Sequence, residues 1–210
     1  TADWRNSSNE ERQNNLNLAR HHLVRAAHKL ICEVVFNKTY FSLEETGLGY
    51  PCVSSEFPAE RRAVLDAFIR VLGDAYRLVD SPWIKKDSDR PPEWFAADDI
   101  GPRNRVRVFA RAIWPNEEQI DAELTRVLRD LAQIGHGGGF LSISSLHIRL
   151  VAGSDPYWRC RKCGRVHLHR GVGLCTRCKA PMDDGPDGTA EELRQNSFVA
   201  KRIERGDATF

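Results

Sequence analysis

Cys160, Cys163, Cys175 and Cys178 fall in the pattern C-x2-C-x11-C-x2-C, and this spacing is the strongest chemical signal in the 210-residue chain. C-x2-C is the shortest spacing that lets two thiolates from one turn share an ion, and two such pairs supply the tetrahedron that zinc prefers. Gly164 permits the bend after the first pair, and Lys179-Ala180-Pro181 closes the second. Four thiolates leave no open coordination position for water, so the expected role of a single Zn²⁺ is structural. Two other uses of cysteine fit less well. A redox C-x-x-C needs one pair only, and a disulfide framework needs an oxidising compartment, for which the N-terminus carries no apolar leader. His167 and His169 lie between the knuckles. They read as exposed strand residues, with a metal-dependent nuclease centre as the minor alternative.

Charge is the second signal. The chain has 31 basic and 29 acidic residues, a net +2 that by itself points to no partner. From Pro156 to Met182, however, stand Arg159, Arg161, Lys162, Arg165, Arg170, Arg177 and Lys179, with no Asp or Glu. A zinc ion with four thiolates carries about −2, so a surplus of about five positive charges remains for phosphate. A second candidate contact is Arg103, Arg107 and Arg111, spaced by four in a stretch free of acids from Pro102 to Pro115. Such a stripe would put three guanidinium groups on one side of a helix, although a wet helix face has the same look.

Elements must position these groups. Ser8 to Glu11 has the form of a capping box, with the firm helix expected nearer Leu16. Leu16, Ala19, Leu23, Ala26, Ala27, Leu30, Ile31, Val34 and Val35 then recur at three and four, the stripe of a helix packed along one face. Residues 41–58 hold Gly47, Gly49, Pro51 and Pro58 and read as connection. Val64, Leu65, Phe68, Ile69, Leu72, Tyr76 and Val79 mark a second helix with Pro58 in its first turn. Trp83, Trp94 and Phe95 are expected to fold a long proline-rich stretch, 81–102, onto the domain. Asn104 to Trp114 reads as a short helix stopped by Pro115, and Asn116 with Gln119 opens another, ending at Gly135. Phe140 to Val151 reads as two short strands turning at Ser144-Ser145.

The fold class that follows is mainly α within α+β: a helical body over 1–155, a zinc ribbon over 156–182 and a C-terminal helical segment over 183–210. Helix, helix, hairpin is the order of a winged helix, placed at about 103–151, although many α+β domains share that order. Gly137-Gly138-Gly139 is not a phosphate loop, because no Gly-Lys-Ser/Thr follows and the glycines precede a strand. Neither G-x-S-x-G nor H-E-x-x-H occurs, so no catalytic residue is expected in this chain. No apolar run is long enough to span a bilayer, so no membrane contact is expected and the cytoplasm is the expected compartment. Cys32 and Cys52 are expected to be reduced.

Tyr157 to Arg170, followed by Leu174-Cys175-Thr176-Arg177-Cys178, resembles the cysteine-rich segment of large bacterial superfamily-two DEAD/DEAH-box helicases that carry a C-terminal zinc-binding domain. Asn196-Ser197-Phe198-Val199-Ala200 and Gly206 to Phe210 are similar to the stretch that in this family leads into Cys-Glu-Glu, and the chain stops just before that point. The resemblance covers Pro156 to Phe210 and is vague before it. It implies the four cysteines as metal ligands and a place beside an ATP-driven motor, in cis or as a separate subunit, in DNA repair or phage defence. The motor itself has no Walker motif here. The expected function is therefore an accessory DNA-binding region of an ATP-dependent helicase. A zinc-ribbon protein-interaction module of a multisubunit assembly, its arginines meeting an acidic partner, is the alternative.

Overall fold

The structure, a computed structural model, describes residues 8–36, 42–53, 56–79, 100–137, 139–197, 200–202 and 205. Trp83, Trp94, Phe95 and the Gly206–Phe210 stretch lie outside the described residues. The described chain is a mixed α+β fold. Among its helices, none is long and apolar enough to cross a membrane.

Helix α1 spans Asn9–Phe36. It starts where the capping box stands rather than at Leu16. The Ser8 N–H donates to Glu11 Oε2 at 2.7 Å and the Glu11 N–H returns to Ser8 Oγ at 3.2 Å, satisfying two otherwise orphaned donors. The expected burial along its apolar stripe does not occur. Only the last turns enter the body, through Cys32, Val35 and Phe36, while Leu16, Leu23 and Leu30 remain 64%, 72% and 62% exposed. The seat of this contact is Gly73, where any Cβ would collide with the Phe36 ring.

Helix α2, Ala59–Asp74, is the centre of the main core, with Leu65, Phe68, Ile69 and Leu72 fully buried. Pro58 is its N-cap, and the helix ends at Asp74, so Tyr76 and Val79 fall beyond it and are largely exposed. Helices α3 (Arg105–Ile113) and α4 (Glu117–Gln133) open on asparagine caps. Asn104 accepts from the Val106 N–H at 2.9 Å, and Asn116 from the Glu118 N–H at 3.0 Å. Both pack on α2. Phe109 meets Phe68 edge-on at 5.5 Å, and Trp114 stacks on Phe68 at 5.7 Å.

The expected hairpin over 140–151 is not formed. Ile143–Ser145 is a single 3-10 turn, and Leu141 bridges to Leu78 in parallel. Strand β2, His147–Leu150, pairs antiparallel with β1, Gly49–Cys52, which lies inside the segment read as connection. Pro51 is tolerated there because a two-stranded sheet has only edges. Alternating apolar residues identify a strand but not its partner, and here the partner comes from about a hundred residues upstream. The wing of a winged helix is therefore absent among the described residues.

Strands β3 (Pro156–Arg159), β4 (Val166–His167) and β5 (Gly188–Thr189) form a sheet in the order β4-β3-β5. β5 leads into α5, Ala190–Asn196, in keeping with the helix expected after the ribbon. This sheet is docked on the body. Glu45 Oε1 accepts the Val166 N–H at 3.2 Å and Glu44 Oε1 the Leu168 N–H at 3.3 Å. Tyr50, Val151, Val166, Leu168, Ala190 and Leu193 make a second small core between the two parts.

A candidate four-cysteine metal centre and its surroundings

The cysteines are brought together by two turns of the same shape. In the first, the Gly164 N–H donates to the Cys160 carbonyl at 2.8 Å and the Cys160 N–H to the Arg165 carbonyl at 2.9 Å. In the second, Lys179 and Cys175 repeat this at 2.8 Å, and Cys175 and Ala180 at 2.9 Å. Each turn requires left-handed backbone at the residue after its second cysteine: φ is +73° at Gly164 and +62° at Lys179. Glycine adopts this conformation freely, whereas lysine is strained in it.

All four sulfur atoms lie within 4.8 Å of one another. Cys160 Sγ and Cys178 Sγ are 3.4 Å apart, and Cys163 Sγ and Cys175 Sγ 3.6 Å. A tetrahedron with metal–sulfur bonds of about 2.3 Å has edges of about 3.8 Å, so the cluster could hold one metal ion with little adjustment. Met182, Trp158 and Ala180 pack around it. Burial pushes the Cys163 thiol up to about 12 and raises that of Cys175 as well. At Cys178 burial opposes ionisation too, but the Ala180 N–H and the neighbouring thiols outweigh it and bring the group down to about 7. A dication is what would hold all four as thiolates, so loading would release protons.

His167 and His169 are not the exposed strand residues expected. His167 is buried, with Nε2 3.4 Å from Cys175 Sγ, and burial lowers it to about 4. It braces a ligand rather than facing solvent. His169 is half-buried and stacks on Tyr50, with ring centroids 4.6 Å apart. Among the described residues the four cysteines are the one group of three or more His, Cys, Asp or Glu close enough to hold a metal, and neither histidine belongs to it.

The basic residues divide. Arg165 is buried and paired with Asp74, with Glu44 at 3.9 Å, so it is withdrawn from any surface contact. Arg161 meets Asp183 at 3.0 Å and Asp187 at 2.7 Å, and Arg170 meets Asp184. These aspartates stand just past Met182, and the chain folds them back over the acid-free stretch. Arg159, Lys162 and Arg177 are exposed and Lys179 half-exposed, and among the described residues none of the four has a carboxylate within ion-pair distance. The helical stripe also splits. Arg103 precedes α3 and is exposed, whereas Arg107 turns inward to the Ile100 carbonyl at 2.7 Å and Asp121 at 2.6 Å. Arg111 pairs with Glu117 at 2.8 Å. The run of arginines is continuous in sequence and broken in space.

Two features escaped sequence reasoning. One is a buried charge cluster of Glu44, Arg70, Asp74 and Arg165, in which Arg70 reaches Glu44 at 3.2 Å and also donates to the Val35 carbonyl. The signal available was Arg70 and Asp74 at i, i+4 within the otherwise apolar second half of α2, residues 67–74. The other is a cavity of about 430 Å³ lined by α2, the β1–β2 sheet and the turn at His169 to Gly171. Its residues come from three distant segments, and no local pattern announces it. No protein-family model matches the chain, and neither a curated protein nor a solved structure matches it.

Proposed function

We propose that this chain is a non-catalytic accessory region of an ATP-dependent DNA helicase, acting in DNA repair or phage defence, in which one structural zinc holds a ribbon that contacts DNA phosphates. The observation that carries this reading is the closed four-sulfur cluster with Arg159, Lys162, Arg177 and Lys179 around it and without paired acids. Thiolate-only donors select zinc over harder cations and leave no open position for water chemistry. The helicase assignment rests on the resemblance of the cysteine-rich segment and implies a motor beside it, in cis or as a separate subunit. The mechanism is electrostatic holding of a strand.

The salt dependence of binding tests it quantitatively. With four unpaired cations, log K for duplex DNA should fall against log salt with a slope of about −3 to −4, not the −6 or steeper that all seven ribbon cations would give. Absence of binding to both single-stranded and duplex DNA at low salt, by folded and zinc-loaded protein, removes this reading. One observation favours the protein-interaction alternative. Leu16, Leu23 and Leu30 recur every seven residues on the uncovered face of α1, the seam of a helix that pairs with another helix. A pull-down that survives nuclease treatment but is lost in Leu23→Asp would support that reading.

A further inference from the structure

The cavity beside the ribbon gathers two arginines that, like Arg159 and Arg177 on the ribbon surface, have no ion-paired carboxylate among the described residues. Arg62 enters from α2 and Arg149 from β2, and among the described residues neither has a carboxylate within ion-pair distance. Tyr50 lies beside Arg149, and His169 packs against Tyr50 to form part of the wall. His147, opposite Cys52 in the sheet register, also lines the cavity. The one carboxylate of the lining, Asp66, already accepts the Val53 N–H through Oδ1 at 2.7 Å. Donors therefore exceed acceptors: two guanidinium groups, two imidazoles and a phenol face a single acid.

We infer that this cavity is a binding site for a phosphoryl group, carried by a nucleotide or by a nucleic-acid backbone, with Arg62 and Arg149 as its two clamps. The volume of about 430 Å³ is within the usual range for small-ligand sites and exceeds what a bare phosphate fills, so room remains for the group that bears it. Guanidinium is suited to this because its planar fork presents paired N–H donors to phosphate oxygens. The site lies apart from the knuckle cations, so it goes beyond the ribbon–DNA contact proposed above and stands or falls independently of it.

Asp66 gives the site a pH signature. Burial raises it to about 6, against the lowering effects of the Val53 N–H and of Arg62 and Arg149. The titratable and charged groups facing it are Arg62 on its own helix, Tyr50, Cys52, His147 and Arg149 on the sheet, and His169 from the ribbon. Above pH 6 its negative charge competes with a bound anion, and below pH 6 that competition is lost.

Calorimetric titration of the full, zinc-loaded chain with inorganic phosphate, a nucleoside 5′-monophosphate and a short single-stranded oligonucleotide tests the inference. At least one should bind, and Arg149→Met should weaken that binding by at least about tenfold, as should Arg62→Met. Arg149 is exposed on an edge strand, so its loss should leave the fold intact, and an unchanged thermal transition verifies this. Asp66→Asn, which keeps the acceptor for Val53, should tighten binding above pH 7 and flatten its rise below pH 6. The ligand that binds best identifies the source of the phosphoryl group. Binding of none of the three, or binding that both arginine variants retain, overturns the inference. Loss of oligonucleotide binding only in Arg177 and Lys162 variants would implicate the ribbon and not the cavity.

Discussion

The ribbon and the neighbouring cavity use similar residue types to opposite ends. In the ribbon, four sulfurs close on one point, an imidazole lies against one of them, and Arg161 and Arg170 are tied down by aspartates that fold back over them, leaving Arg159, Lys162, Arg177 and Lys179 on the outside. In the cavity, two arginines and two histidines surround open space and only one carboxylate answers them. A closed thiolate set leaves no place for a ligand at its centre, so only the unpaired cations on its outer surface are available to one. An open constellation leaves its donors unsatisfied, which is what recognition requires. The lesson is that the count of basic residues along a chain is a poor guide to where anions bind, since pairing in space decides which charges are available.

Breaking the closed half should have the largest effect. Removing the metal, or making Cys175→Ser, should unfold the ribbon, because apparent zinc-binding energies of about 10 kcal/mol or more are folding energy in such modules. Metal analysis with circular dichroism checks this. Zinc content should drop while α2, α3 and α4, held by their own core, keep most of the helical signal.

Separating the ribbon from the body is the next test. Arg165→Met removes one partner from the buried cluster and leaves Asp74 and Glu44 with Arg70 alone. Uncompensated buried charge costs about 3–5 kcal/mol, and urea denaturation should register a loss of that order. A double change that also replaces Asp74 with an apolar residue should recover part of it.

Acid should weaken the body through His136, whose Nδ1 accepts the Ser142 N–H at 3.1 Å. Burial, followed by the nearby His147, lowers it to about 4 from an ordinary 6.5. The unfolded chain takes up a proton first, so stability is full above pH 6.5 and falls as pH drops towards 4. On the order of 2 kcal/mol should be lost by pH 4.5, and a His136→Gln variant should show less of that slope. Asp66 works in the other direction. Its raised value makes the folded chain gain stability as pH falls through 6, so Asp66→Asn should steepen the net acid loss.

The smallest effect should come from exchanging the two knuckles' strained positions. Lys179→Gly should stabilise by up to about 1 kcal/mol, since φ +62° suits glycine, and Gly164→Ala should destabilise by a similar amount through backbone strain alone, there being open space at its Cβ. Lys179→Gly should also reduce the salt slope of DNA binding by about one.

The four-cysteine cluster was legible because the cysteines of each pair are separated by two residues and their turns need specific backbone, and each of these is a local property. The helix caps at Ser8, Asn104 and Asn116 were legible for the same reason. The β1–β2 pairing was not, because the alternation at 146–150 gives a strand but is silent on a partner at 49–52. Nor was the burial of α1. Its stripe has the right period for packing, yet only its last turns meet the body, and periodicity cannot tell a core from an uncovered face. Arg165 looked like the other ribbon cations, and only Asp74, ninety-one residues away, marks it as internal.

Zinc-edge X-ray absorption on the loaded chain probes the closed, four-sulfur metal centre itself. One zinc per chain should be surrounded by four sulfurs at about 2.3 Å, with no nitrogen or oxygen neighbour. A shell containing a histidine nitrogen, with His167 in place of Cys175, or a water oxygen, would contradict it by showing that the site is open.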